Sequence, residues 1–297
     1  MKTLFPKGQA RRVELSLGPI HYEEAGSGPT LVFVHGALVD GSLWRDTGRA
    51  LSKDHRCIVP TWPLGSHTEP MSGDVTVTAV AALIGEFLET LDLHDVTLLG
   101  NDSGGLLTQL AAVHHAERVR DVVLTNCDDF EVFPPKDFEY FFLLPKIPGA
   151  LTVLSKEMNL FPALARTKTA FGDLTVGRLD NETIRRWMGP AARNRAVRKD
   201  LAQLLRSVDR QTSIDVSKRL SDFAGRALLV WGTRDQHFTL ELAQRLEAAF
   251  VDAELATIES GTTFVMMDEP ELVADAVRRF VAGAAQEPKR PVALASA

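Results

Sequence analysis

The sequence predicts an α/β protein: a mostly parallel, doubly wound sheet with an inserted helical cap. Two patterns carry that prediction. Short apolar runs of buried-strand type alternate with amphipathic helical stretches, and the alternation lapses from about residue 130 to 217 before it resumes. Strand–helix repeats fold as a parallel sheet covered on both faces. The expected division is a core of residues 1–129 and 218–285, a cap of 130–217 and a loose tail of 286–297.

The elements follow in order. Val13 to Leu17 alternates with period two, Gly18-Pro19 turns the chain, and Ile20 to Glu24 continues as a second strand. After Gly26-Ser27-Gly28-Pro29, the run Thr30 to Val34 is apolar throughout, as a strand buried on both faces must be. Strands are predicted at Arg56 to Val59, Val96 to Leu99 and Val122 to Thr125. Helices are predicted at Val75 to Leu91 and Gly104 to His115. Residues 130–217 lack strand-type runs and are rich in Phe, Leu, Arg and Pro. Strands then return at Ala227 to Trp231 and Ala253 to Ile258, each followed by a helix, Leu240 to Phe250 and Pro270 to Ala284.

Composition narrows the function. A chain that is 45% hydrophobic and 24% charged buries an ordinary core, and a net charge of −6 disfavours nucleic acid, whose binding needs a basic surface. No apolar run reaches the ~20 residues of a membrane span, and Pro6 and Arg11-Arg12 interrupt any signal-type opening. Two cysteines are too few for a disulfide framework, so a cytoplasmic location is expected. No acid, His or Cys cluster has metal-ligand spacing and no Gly-rich phosphate loop follows the first strands, so neither metal nor other cofactor is expected. The expected partners are a small-molecule substrate and, at most, a second copy of the chain in a homodimer; nucleic acid and membrane are not among them.

Ligands in such sheets sit beyond the carboxyl ends of the strands. There the sequence reads Leu98-Leu99-Gly100-Asn101-Asp102-Ser103-Gly104-Gly105, a buried strand turning sharply into a helix. Small neighbours let the central residue hold a strained conformation and project its side chain into the site. That residue is Asp102; centring the turn on Ser103 instead puts Asn101 where a small residue is needed. Val34-His35-Gly36-Ala37 leaves the third strand in a Gly turn. The Ala37 and Ser103 N–H groups are expected to form a two-donor oxyanion or halide site, with His35 bracing the loop.

Across nearly its whole length the chain resembles the α/β-hydrolase superfamily, on His35-Gly36, the Gly100 to Gly104 turn, the insertion after the sixth strand and Val230-Trp231-Gly232-Thr233-Arg234-Asp235. An aspartate at the turn resembles the haloalkane dehalogenase and epoxide hydrolase branch. The resemblance implies that Asp102 attacks carbon to form an ester, which a histidine-activated water cleaves. It also implies that Asp235 orients that histidine, with Asp128 and Asp129 as second choices. The histidine should follow the last strand, where Gly261-Thr262-Thr263-Phe264 carries Thr263 instead. His67 and His237 are the candidate substitutes.

The remaining substrate-facing set is His35, Asp128, Phe133, Phe141 and Thr263, in a pocket whose entry is crowded with lid aromatics. Halide-binding Trp, carboxylate-clamping Arg and paired lid Tyr, features of three subfamilies that resemble this chain, lack counterparts here. The expectation is a cofactor-free hydrolase of a small, mainly apolar molecule. The alternatives are a lyase, isomerase or cyclase with Asp102 as general acid/base, or a non-catalytic small-molecule-binding protein.

Overall fold

The computed structural model describes residues 3–284, so the expected tail at 286–297 lies outside the described residues. Eight strands form one sheet: β1 (Gln9–Leu15), β2 (Gly18–Ala25), β3 (Thr30–Val34), β4 (Arg56–Thr61), β5 (Val96–Asp102), β6 (Val119–Cys127), β7 (Arg226–Gly232) and β8 (Ala253–Ile258). Their order is β1-β2-β4-β3-β5-β6-β7-β8. β2 runs antiparallel to β1 and β4, and every other pairing is parallel.

Among the described residues the α-helices are α1 (Arg45–Leu51), α2 (Val77–Thr90), α3 (Ser103–His114), α4 (Ala150–Leu160), α5 (Asn181–Arg193), α6 (Arg195–Arg206), α7 (Arg210–Ser217), α8 (Leu240–Ala249), α9 (Val265–Asp268) and α10 (Pro270–Ala284). Sequence periodicity anticipates α2, α3, α8 and α10 but not α1, whose Arg-Asp-Thr-Gly opening carries no apolar stripe. It also starts β1 four residues late, because Gln9 to Arg12 face solvent and show no alternation.

Two apolar layers explain the all-apolar central strands. Val32 and Val34 of β3 pack with α2 and α3 on one face, while Leu31 and Phe33 pack with α1 and α10 on the other. β5 and β7 divide the same way, with Leu98 and Trp231 on the first face and Leu99 and Val230 on the second.

Between β6 and β7 the described chain holds α4 to α7 and 3₁₀ turns, and contributes no strand to the sheet. Buried polar contacts fix this segment to the core. Arg186 of α5 donates to Asp40 at 2.6 Å, Trp187 Nε1 donates to Ser42 Oγ at 2.9 Å, and Ser66 Oγ donates to the Trp187 carbonyl at 2.8 Å. Arg186 therefore anchors this segment to the core. Among the described residues no helix is long and apolar enough to cross a membrane.

Candidate active site

β5 passes directly into α3 at Asp102, whose backbone lies at φ 53° and ψ −134°. A non-glycine residue held there costs on the order of 1–3 kcal/mol, a strain that surrounding packing must sustain. Asp102 makes no side-chain cap to α3, so helix capping does not account for it. The glycines around it are sterically required. A Cβ on Gly104 would sit 2.5 Å from the Val34 and His35 carbonyl oxygens, and one on Gly36 would overlap the Asp102 carboxylate. Gly104→Ala is expected to lower stability by about 1–3 kcal/mol or more, because the obstructing atoms are backbone; urea unfolding checks this.

Asp102 lines a cavity of about 110 Å³ at the carboxyl ends of the strands. Its other walls include Asp128, Ser103 and Ala37 from the core, with Phe133, Phe138, Phe141 and Phe142 from the segment after β6. An engineered apolar cavity of about 150 Å³ holds benzene, so the space suits a molecule of that order. The apolar residues that follow β6 divide: those four phenylalanines face the cavity, whereas Tyr140 and Leu143 are exposed and Phe130 lies under the Arg245 guanidinium.

Burial raises the Asp102 pKa to about 6, helped by the neighbouring Asp235 charge and opposed by the Ser103 N–H and by His237. Asp128 is pushed well above the usual carboxylate range by burial and by the negative charges of Asp102 and Asp129. Asp129 rises to about 7, although Ser217 Oγ and the Phe130 N–H donate to it.

The two expected N–H donors are not both free. Ala37 N–H donates to Ser103 Oγ at 2.8 Å, and that hydroxyl lies 3.5 Å from Asp102 Oδ2. A ready two-donor site is thus replaced by one in which a serine hydroxyl already occupies the Ala37 donor.

Behind Asp102, Asp235 is held by four bonds. One carboxylate oxygen accepts from Thr263 Oγ1 at 2.8 Å and Asn126 Nδ2 at 2.9 Å; the other accepts from the His237 N–H at 2.8 Å and the Phe238 N–H at 3.2 Å. Asn126 also exchanges bonds with the Gly232 backbone, and Asn101 Nδ2 donates to the Thr263 carbonyl at 2.7 Å. Neither asparagine was among the expected site residues. The available signal was a polar side chain at the carboxyl end of an apolar strand.

The histidines separate. His35 is wholly buried outside the cavity, with Nδ1 on the Gly36 carbonyl at 2.8 Å and Nε2 accepting from the Trp62 N–H at 2.9 Å. Burial lowers its pKa to about 4, so it is a neutral brace of the loop and does not face substrate space. His67 also lies off the cavity: Nε2 pairs with Asp200 of α6 at 3.1 Å and Nδ1 accepts weakly from the Gly65 N–H at 3.4 Å. With both ring nitrogens engaged, it ties α6 to the core and has no free nitrogen with which to activate water. His237 is nearer the acids. Its Nδ1 meets Asp137 at 3.1 Å, its ring lies 4.9 Å from Phe138, and its buried Nε2 has no partner among the described residues.

A model of the alpha/beta hydrolase fold matches residues 29–270, and the chain belongs to that family. Haloalkane dehalogenase 2 of Mycobacterium tuberculosis is 28% identical over 279 residues, 91% of this chain and 93% of that protein. The haloalkane dehalogenase DbeA from Bradyrhizobium elkani superposes with a TM-score of 0.77 at 18% identity, covering 94% of this chain and 100% of that one. The epoxide hydrolase CorEH superposes with the same score, identity and coverage. The expected fold is therefore the observed one, and the chain is an enzyme of the hydrolase family.

Proposed function

We propose that the protein hydrolyses a small, mainly apolar organic molecule through an ester formed on Asp102. The observation that carries this reading is the carboxylate itself, held by a strained strand-to-helix turn in the wall of a small apolar cavity. A carboxylate oxygen bonds to an sp³ carbon of the substrate, the bond to the leaving group breaks, and that group departs with the electron pair. Water then cleaves the ester. The 28% identity to a haloalkane dehalogenase supports the same chemistry.

Thr263 stands where the resemblance expects the water-activating histidine, and its hydroxyl is spent on Asp235. A haloalkane is therefore expected to alkylate Asp102 and remain there. Intact mass after incubation with 1-bromobutane tests this: one added butyl group supports it, and an unmodified chain with no butanol overturns it.

Alkylation needs the ionised carboxylate. With Asp102 near 6, its rate should be level above about pH 7 and fall about tenfold per pH unit well below 6. Asp128, Asp235, Cys127 and His237 are titratable groups around it. A pH series of adduct formation reads the profile.

A second reading, proton transfer by Asp102 in a lyase or isomerase step, is favoured by the same Thr263–Asp235 bond, since among the described residues that acid is bonded by Thr263 where an imidazole is expected. Substrate hydrogen exchange with deuterated solvent, without ester formation, would mark that chemistry.

A further inference from the structure

We propose that Asp128 serves first as the acid and then as the base of the reaction, for substrates whose leaving group is the oxygen of a strained cyclic ether. This rests on the reading of Asp102 as nucleophile.

Asp128 follows β6 immediately and lines the same cavity as Asp102. It is 2% exposed, and its Oδ1 is enclosed with no hydrogen-bond partner among the described residues. No salt bridge to it is formed there. An enclosed carboxyl with neither cation nor donor is stable only when protonated, and a second carboxylate facing the same space reinforces this. Burial and the charges of Asp102 and Asp129 push it toward that form. Two carboxyls in one cavity with separated proton affinities divide the work into nucleophile and acid.

Of the other proton donors among the described residues, His237 keeps an unpartnered Nε2 and is the rival that the test below addresses; the rest are engaged or lie elsewhere. The Ser103 hydroxyl accepts from the Ala37 N–H and directs its own O–H at Asp102 Oδ2, 3.5 Å away. Tyr140 Oη donates to the Thr169 carbonyl on the surface, and Tyr22 lies in β2. His35 and His67 have both ring nitrogens engaged.

The steps balance. An Asp102 carboxylate oxygen attacks a ring carbon and the carbon–oxygen bond breaks. The departing oxygen takes the electron pair and the Asp128 proton, leaving a hydroxy ester on Asp102 and a carboxylate at Asp128. That carboxylate then removes a proton from water as the water oxygen adds to the ester carbonyl. The intermediate collapses by expelling the alkoxide, which takes the proton left on the Asp102 carboxyl. A diol is released, with Asp102 ionised and Asp128 neutral as at the start.

A halide leaves without a proton, so Asp128 stays neutral and no base is generated. The same site therefore completes turnover on an epoxide and stalls on a haloalkane.

Paired probes of equal chain length, 1,2-epoxybutane and 1-bromobutane, test this in the full chain. The wild-type protein should release butane-1,2-diol from the epoxide and hold the butyl ester from the bromide. In Asp128→Asn the ratio of epoxide opening to butyl-ester formation should fall at least about 100-fold, as for loss of a general acid. Ester formation in the variant also reports that its fold and Asp102 are intact. Equal slowing of both probes would reduce Asp128 to shaping the cavity and overturn the inference. So would diol release that survives Asp128→Asn but is lost in His237→Gln. Absence of the butyl ester in the wild-type chain would instead strike the nucleophile reading itself.

Discussion

Thr263→His is expected to discharge a butyl ester from Asp102 about 10² to 10⁴ times faster than the wild-type chain does. The receiving geometry is already built. Asp235 offers Thr263 Oγ1 an acceptor at 2.8 Å while three other donors fix that carboxylate in place. A ring at position 263 can give an N–H to the same oxygen and keep its second nitrogen to take a proton from water. The Asn101 bond to the Thr263 carbonyl holds the backbone whichever side chain it carries. Thr263 is wholly buried, so the melting temperature should be followed together with the decay of the ester mass. A stably folded variant whose ester persists as long as the wild-type ester would show that Asp235 and Thr263 do not face the reacting carbonyl.

Asp102→Asn should abolish the ester, lowering alkylation by at least about 10⁴-fold, on the scale seen when a nucleophile is removed. The substitution is nearly isosteric, and asparagine tolerates the positive φ that this turn imposes. The protein should therefore stay folded, with thermal unfolding close to that of the wild-type chain. Intact mass with 1-bromobutane and a single turnover of epoxide in ¹⁸O-water make the two halves of the test. In the second, label should enter the Asp102 carboxylate before it reaches the diol, since water attacks the ester carbonyl. Butyl mass persisting in the variant would place the alkylated residue elsewhere.

The turn at Asp102 was legible because its requirements are local. An apolar strand, glycines at 100, 104 and 105, and a helix beginning at once leave one residue with a special backbone. The sheet was legible for the same reason, since strands buried on two faces must be apolar throughout. What could not be read depends on partners far apart in the chain. Nothing near His67 announces Asp200, 133 residues away, which removes it from the site. Of the consecutive acids, Asp129 turns toward Ser217 while Asp128 faces the cavity, a choice made by how β6 ends rather than by composition. The partner of the His237 ring, Asp137, stands 100 residues away in the chain.

The bond from the Ala37 N–H to Ser103 Oγ bears on how product leaves. Ala37 is a donor already in use, so a bromide or alkoxide reaching it must exchange with a hydroxyl instead of filling an empty position. What the anion gains is the difference between two hydrogen bonds, less than the roughly 1.5–3 kcal/mol of a full bond to a charged group. The leaving group is thus held weakly once it has formed. Under the proposed chemistry, product inhibition and halide occupancy are expected to be slight, and the fate of the ester rather than escape of the anion is expected to set the pace on a haloalkane.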